Sequence, residues 1–272
     1  MHRLTAWVPT GLPDIRPGMD LDALIVALLR SAAFRPQDDD VLVVAQKVVS
    51  KAEGAVVHLA EITPGAEAAA LAEVAQKDPR LCQVILDDSR AVLRVRPGLI
   101  IAEHRLGFIC ANAGVDFSNV GFGEEWVTTL PRDPQASAER LRRAVREAIG
   151  ASVAVIINDT HGRPWREGAV GVAVVINDTH GRPWREGAVG VAIGVAGLEP
   201  LFSYIGREDL YGYVLHSSIE GIADELAATA SLLQGQAAEG TPLVLIRGAR
   251  FDSAPQEGRT KLLREPDKDL FR

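Results

Sequence analysis

The chain has 272 residues, 47% hydrophobic and 24% charged, with 29 lysines and arginines against 36 aspartates and glutamates for a net charge of −7. That balance is ordinary for a globular protein and excludes disordered, fibrous and strongly basic nucleic-acid-binding classes. Two cysteines, Cys82 and Cys110, are too few for a disulfide framework or a four-ligand zinc site and read as small buried apolar residues.

In chain order, a turn-rich stretch at 12–18 leads to Leu21, Leu24, Ile25, Leu28 and Leu29, whose spacing marks one apolar helix face with Asp20 as N-cap. The β-branched run Val41–Ala45 predicts a buried strand, followed by Gln46-Lys47-Val48-Val49-Ser50-Lys51. Gly65–Gln76 is alanine-rich and predicts a helix; 92–95 and 99–102 predict strands around the turn at Pro97-Gly98. Asp133-Pro134 opens a helix with Leu141, Ala144, Val145 and Ala148 on one face and Gly150 just past its end. Strands are expected at 153–157, 172–176, 191–195 and 243–246. A last helix is outlined by Ile219, Ile222, Leu226 and Leu233, with Gly235 as its C-cap.

Interleaved helices and strands favour a mixed α/β (α+β) class, and no Pro/Gly/Ser-rich linker divides the chain, so residues 1–272 are expected to form a single domain. The N-terminus lacks the layout of a signal peptide, and no apolar run approaches the ~20 residues that span a bilayer. A soluble, cytoplasmic protein, with neither membrane nor nucleic acid as partner, is the expectation.

One feature breaks the ordinary pattern. Residues 153–171 (VAVIINDTHGRPWREGAVG) and 172–190 (VAVVINDTHGRPWREGAVG) are adjacent 19-residue copies that differ only at Ile156 against Val175. A solenoid needs three or more drifting repeats, so two near-identical copies read instead as a recent tandem duplication or an error in the sequence. Asp159-Thr160 and Asp178-Thr179 are then twins competing for one place, and the sequence leaves open which takes it.

The chain has no GxxxxGK[ST] phosphate loop and no GxGxxG turn, hence neither a P-loop nor a Rossmann fingerprint. Four segments carry oxygen donors or cations instead. In 111–119 (ANAGVDFSN), small residues permit close backbone approach, and Asp116 with Asn119 can serve a hard cation or simply form turns. Ile-Asn-Asp-Thr ends an apolar strand with a carboxylate and a hydroxyl, and the adjoining Gly-Arg-Pro-Trp-Arg-Glu (162–167 and 181–186) adds arginines suited to phosphate. Lys51, beyond a strand end, can act as a point charge on phosphate. Leu232-Leu233-Gln234-Gly235-Gln236 closes a helix. The histidines at 2, 58, 104, 161, 180 and 216 make no metal-binding spacing.

At these segments the sequence resembles the coenzyme F-420-0:L-glutamate ligases, the gamma-glutamyl ligases of F-420 biosynthesis. The resemblance runs through GLPDIRPGMDL (11–21), VLVVAQKVVSKAEG (41–54), RPGLIIAEHRLGFICANAGVDFSNVG (96–121), INDTHGRPWREGAVGVAIGVAG (176–197), ADELAATASLLQGQ (223–236) and KDLFR (268–272). It implies an unusual α/β fold forming an intertwined homodimer. The implied reaction is GTP-dependent amide formation between F-420-0 and L-glutamate, through an acyl phosphate, with further γ-linked glutamates in some members. The implied cofactors are two Mg²⁺ or Mn²⁺ ions and K⁺.

By position, the resemblance puts Leu12, Pro13, Asp14, Ile15, Gln46, Lys51, Asn119, Gly235 and Gln236 at GTP. It puts Asp116, one of the pairs Asp159-Thr160 and Asp178-Thr179, and Gln236 at the metals, with no covalent nucleophile. Two other readings stand beside it: a metal- and GTP-dependent ligase with a different acceptor, and a non-catalytic GTP- or deazaflavin-binding protein inactivated by the duplication.

Overall fold

The computed structural model describes residues 3–160, 189–216, 218–254 and 259–265. Strand β1 (Thr5–Trp7) precedes helix α1 (Leu21–Ser31), where Asp20 Oδ1 accepts from the Ala23 N–H as N-cap. Strand β2 (Val41–Ala45) runs directly into α2 (Gln46–Ala52), followed by β3 (Val56–His58), α3 (Ala66–Ala75) and α4 (Pro79–Asp87). The antiparallel pair β4 (Ser89–Arg96) and β5 (Leu99–His104) turns at Pro97-Gly98, with Arg96 opposite Leu99. Then come β6 (Ile109–Ala111), β7 (Trp126–Thr128) and α5 (Pro134–Ile149), which starts on an Asp133 cap with proline in its first turn and ends on left-handed Gly150. The rest comprises β8 (Ala154–Thr160), β9 (Gly190–Ala196), β10 (Phe202–Ser203), β11 (Ile219–Glu220), α6 (Ile222–Gln234) and β12 (Leu243–Arg247).

The central sheet has the order β1-β12-β2-β8-β9, and within it β2 and β8 are parallel while the other neighbours are antiparallel. Alternate residues serve two cores. Leu42, Val44, Val155, Ile157, Val191 and Ile193 face α1 and α5 through Ile25, Leu29, Leu141 and Val145. Val41, Val43, Ala154, Ile156 and Ala192 face α6 through Leu226, Ala227 and Ala230. Burial on both faces explains why β2 and β8 read as unbroken apolar runs rather than alternating ones. A second layered unit packs α3 and α4 on the sheet β4-β5-β6, with Leu81, Cys82, Ile85 and Ile100 in its core. Cys82 and Cys110 are both free and buried, as expected.

Several expectations need correction. Ile219 lies in β11, opposite Ser203, not on the helix; α6 begins at Ile222 after Gly221. Leu233 is 41% exposed, because the buried stripe of α6 runs through Ala223, Leu226, Ala227, Ala230 and Gln234. Helix α4 was not anticipated, although Asp78-Pro79 repeats the cap-and-proline signal of Asp133-Pro134. The strand expected at 172–176, the arginine-rich motifs at 162–167 and 181–186, and 268–272 lie outside the described residues. Among the described residues, no helix is long and apolar enough to cross a membrane.

Candidate functional site

Strands β2 and β8 run parallel in register, Ala45 beside Asn158, so their carboxyl ends open on the same edge of the sheet. In open α/β sheets that edge is where ligands bind. A cavity of about 390 Å³ lies there, bounded by the ends of β2 and β8, the start of α2, the 116–119 turn and the 234–242 segment after α6.

The abrupt passage from β2 into α2 builds one wall. Residues four apart share a helix face, so Lys47 and Lys51 both reach the cavity. Lys51 is buried and donates to Asp14 Oδ1 at 2.7 Å, with its ammonium 5.4 Å from the centre of the Phe122 ring. Gln46, also buried, accepts from Ser50 Oγ at 2.8 Å. Lys47 Nζ lies 2.6 Å from Asp116 Oδ2 and also donates to the Ser118 carbonyl (2.7 Å) and hydroxyl (2.9 Å).

Asp116 closes an Asx turn by accepting from the Ser118 N–H at 2.8 Å, so its turn-forming and cation-facing roles coexist. Burial pushes its carboxyl up, but the Lys47 charge and hydrogen bonds from Lys47 and Ser118 outweigh it and hold the group below the usual range. Asn119, left-handed at φ +53°, donates to the Ala237 carbonyl at 3.0 Å and ties the two loops across the cavity.

The C-cap of α6 forms the opposite wall. Gly235 has φ +68° and ψ −174°, a conformation essentially confined to glycine, and a Cβ there would sit 2.2 Å from Glu239 Cδ. It turns the chain so that Gln236 lines the cavity.

The structure therefore gathers Asp14, Gln46, Lys51, Asp116, Asn119, Asp159, Gly235 and Gln236 at one cavity. Leu12, Pro13 and Ile15 do not line it: Leu12 packs against the core, Ile15 is buried in it and Pro13 faces out. The first copy of the duplicated block supplies β8 and hence Asp159; Thr160 ends that strand, opposite Gly190 of β9. Asp178 and Thr179 lie outside the described residues. The small residues 111–114 do not line the cavity, and the close approach they allow is internal: a Cβ on Gly114 would lie 2.8 Å from Leu130 Cγ.

Lys47, Asn158 and Gln234 are among the lining residues that sequence reasoning does not single out. Lys47 was discoverable had 46–51 been read as helical; Asn158 and Gln234 gave no separate signal.

Two ammonium groups in a concave site suit an anionic, phosphate-bearing group. The seat that Lys47 occupies, formed by a carboxylate, a carbonyl and a hydroxyl, consists of hard oxygen donors that suit Mg²⁺ or Mn²⁺. Among the described residues, no three His, Cys, Asp or Glu side chains cluster as a metal cage. The donors present thus fit an ion that keeps waters and takes further oxygens from a phosphate, the usual habit of Mg²⁺.

The chain thus presents a cavity with two lysines and several carboxylates at the carboxyl edge of a mixed α/β sheet, and sequence comparison supplies the family. The model of the F420-0:gamma-glutamyl ligase family matches residues 10–174 and again 169–248, the two matches overlapping inside the duplicated block. The chain belongs to this family. It is 45% identical over 263 residues to the coenzyme F420:L-glutamate ligase of Methanothermobacter thermautotrophicus, covering 96% of each chain. The enzyme of the same name from Methanopyrus kandleri is 45% identical over 261 residues, covering 95% of this chain and 93% of its own. That of Archaeoglobus fulgidus is 37% identical over 270 residues, covering 99% and 97%.

Proposed function

We propose that this chain ligates L-glutamate to coenzyme F-420-0, with GTP as co-substrate, at the cavity between β2, β8 and the end of α6. The observation that carries the proposal is the convergence of Lys47, Lys51, Asp116 and Asp159 on one cavity, in a chain whose relatives are named for this ligation.

In this reading an oxygen of the lactyl carboxylate attacks the γ-phosphorus of GTP, the bond to the bridging oxygen breaks, and GDP leaves. The resulting acyl phosphate is attacked by the deprotonated α-amine of glutamate; the amide C–N bond forms, the C–O bond to phosphate breaks and phosphate departs. The proton shed by the glutamate ammonium passes to solvent. A second glutamate joined through the γ-carboxyl would repeat the same cycle.

Lys47 and Lys51 supply positive charge for the nucleotide phosphates, and release from Asp116 and Asp14 is the cost of taking them. Gln46, Asn119 and Gly235 shape the nucleotide side, while Leu12, Pro13 and Ile15 act through the backbone that carries Asp14. Asp116, Asp159, Thr160 and Gln236 would hold the divalent ions. Bound there, Mg²⁺ or Mn²⁺ supplies neutralisation of the transferring phosphoryl group. No side chain needs to become covalently attached to substrate.

A homodimer belongs to the same reading. It is supported by the excursion between β10 and β11, where Leu210 is 97% and Tyr211 93% exposed.

The test is incubation with F-420-0, L-glutamate, GTP and Mn²⁺, followed by mass spectrometry. A gain of one glutamyl unit with equimolar phosphate, absent without divalent ion, is expected. GTP binding without any gain would contradict the proposed acceptor.

A further inference from the structure

The floor of the cavity holds a carboxamide that the proposed chemistry leaves unused. Asn158 is only 5% exposed, yet it lines the cavity at the end of β8. Its Nδ2 donates to Gln234 Oε1 at 2.8 Å and, more weakly, to Ser231 Oγ at 3.4 Å. Gln234 Nε2 in turn donates to the Pro242 carbonyl at 3.0 Å. The two amides thus form a chain in one direction, Asn158 to Gln234 to Pro242, and this direction fixes which end of the Asn158 amide is oxygen. That oxygen, Oδ1, is buried and accepts from no group among the described residues.

A buried acceptor left unpaired carries an uncompensated desolvation penalty, so its persistence beside a cavity calls for a reason. Amides in a hydrogen-bonded chain polarise one another, which strengthens the terminal acceptor. We infer that Asn158 is a positioning residue whose Oδ1, held in place by Gln234, accepts a hydrogen bond from an N–H group of the bound ligand. This rests on the proposed ligase reading, in which two ligand groups carry such donors: the base of the nucleotide and the amine of the incoming amino acid.

The test is the double variant Asn158→Leu with Gln234→Met, near-isosteric and removing both partners together. Pro242 keeps a donor in the Ala45 N–H, at 2.9 Å, so no new orphan is made there. Three quantities are measured against the wild type: Tm without ligand, Kd for GTP, and KM and kcat for glutamate. The inference predicts a Tm equal to or above wild type and a rise of at least tenfold in one constant. A raised GTP Kd assigns the contact to the base; a raised glutamate KM with GTP Kd unchanged assigns it to the amine.

A fall in Tm with both constants within twofold of wild type would mean a merely structural pair and overturn the inference. So would an unchanged Tm with both constants unchanged. Should the wild-type chain add no glutamyl unit, the ligase reading fails separately, and GTP titration with the melting comparison still decides the role of Asn158.

Discussion

Lys47 Nζ sits 2.6 Å from Asp116 Oδ2, joining the first turn of the helix after β2 to the Asx turn at 116–118 across the mouth of the cavity. The pair is self-neutralising, and it sets a competition: a divalent ion and Lys47 seek the same oxygens, while phosphate draws Lys47 away. Replacing Lys47 by Met should therefore tighten Mn²⁺ binding in the absence of nucleotide, by about tenfold, because an opposite charge beside a carboxylate is removed. The same change should lower kcat by about 10²-fold through lost charge on the phosphate. Calorimetric Mn²⁺ titration and steady-state kinetics on one preparation check both signs.

The duplicated block makes a second prediction. Since β8 is built from the first copy, Asp159→Asn should abolish ligation, whereas Asp178→Asn, at the twin position of the second copy, should leave kcat close to that of wild type. Deleting 172–190 joins Gly171 to Val191 and preserves β8 unchanged, so it should retain activity. Equal loss in both aspartate variants would mean that both copies contribute.

Gly235 is a third position. Alanine there meets both a positive φ and the Glu239 side chain, which accepts from the Ala237 N–H at 2.7 Å. Gly235→Ala should cost ~1–3 kcal/mol of stability and raise the GTP Kd by loosening the wall that carries Gln236. Denaturant unfolding beside GTP titration measures the two effects.

The acid limit of stability has a specific contributor away from the site. Burial pushes the Asp88 carboxyl up, but the imidazole of His104, with Nε2 3.9 Å from Oδ2, and the Arg105 guanidinium, which donates to Oδ1 at 2.8 Å, bring it below the ordinary value. A depressed carboxylate contributes its stability in full above the unfolded pKa, about 3.9, and loses it as pH falls through the lower folded value. Asp88→Asn should lower Tm at pH 7 and flatten its fall between about pH 4 and pH 2. A Tm–pH series on both proteins reads this directly.

Much of the fold was legible because its signals are local. Asp20, Asp133 and Gly150 act through hydrogen bonds within a few residues, and the Val41–Ala45 run reports burial on both sheet faces. The missed elements are short strands such as β3, β7 and β11, whose stability comes from partners far along the chain. Leu233 shows the same limit, since only the seating of α6 on the sheet decides which stripe is buried. At the site, family likeness pointed to segments, but which copy supplies Asp159, and that Lys47 and Lys51 share a helix face, needed the three-dimensional arrangement. The Asn158–Gln234 pair joins residues 76 apart and left no local trace.

The most direct single measurement is mass-spectrometric detection of glutamylated F-420-0 by wild-type protein and by Asp116→Asn, with GTP and Mn²⁺. Glutamyl addition by the wild type, abolished in the variant while its Tm is retained, is the predicted result. Undiminished addition by Asp116→Asn would contradict the assignment of this cavity as the ligation site.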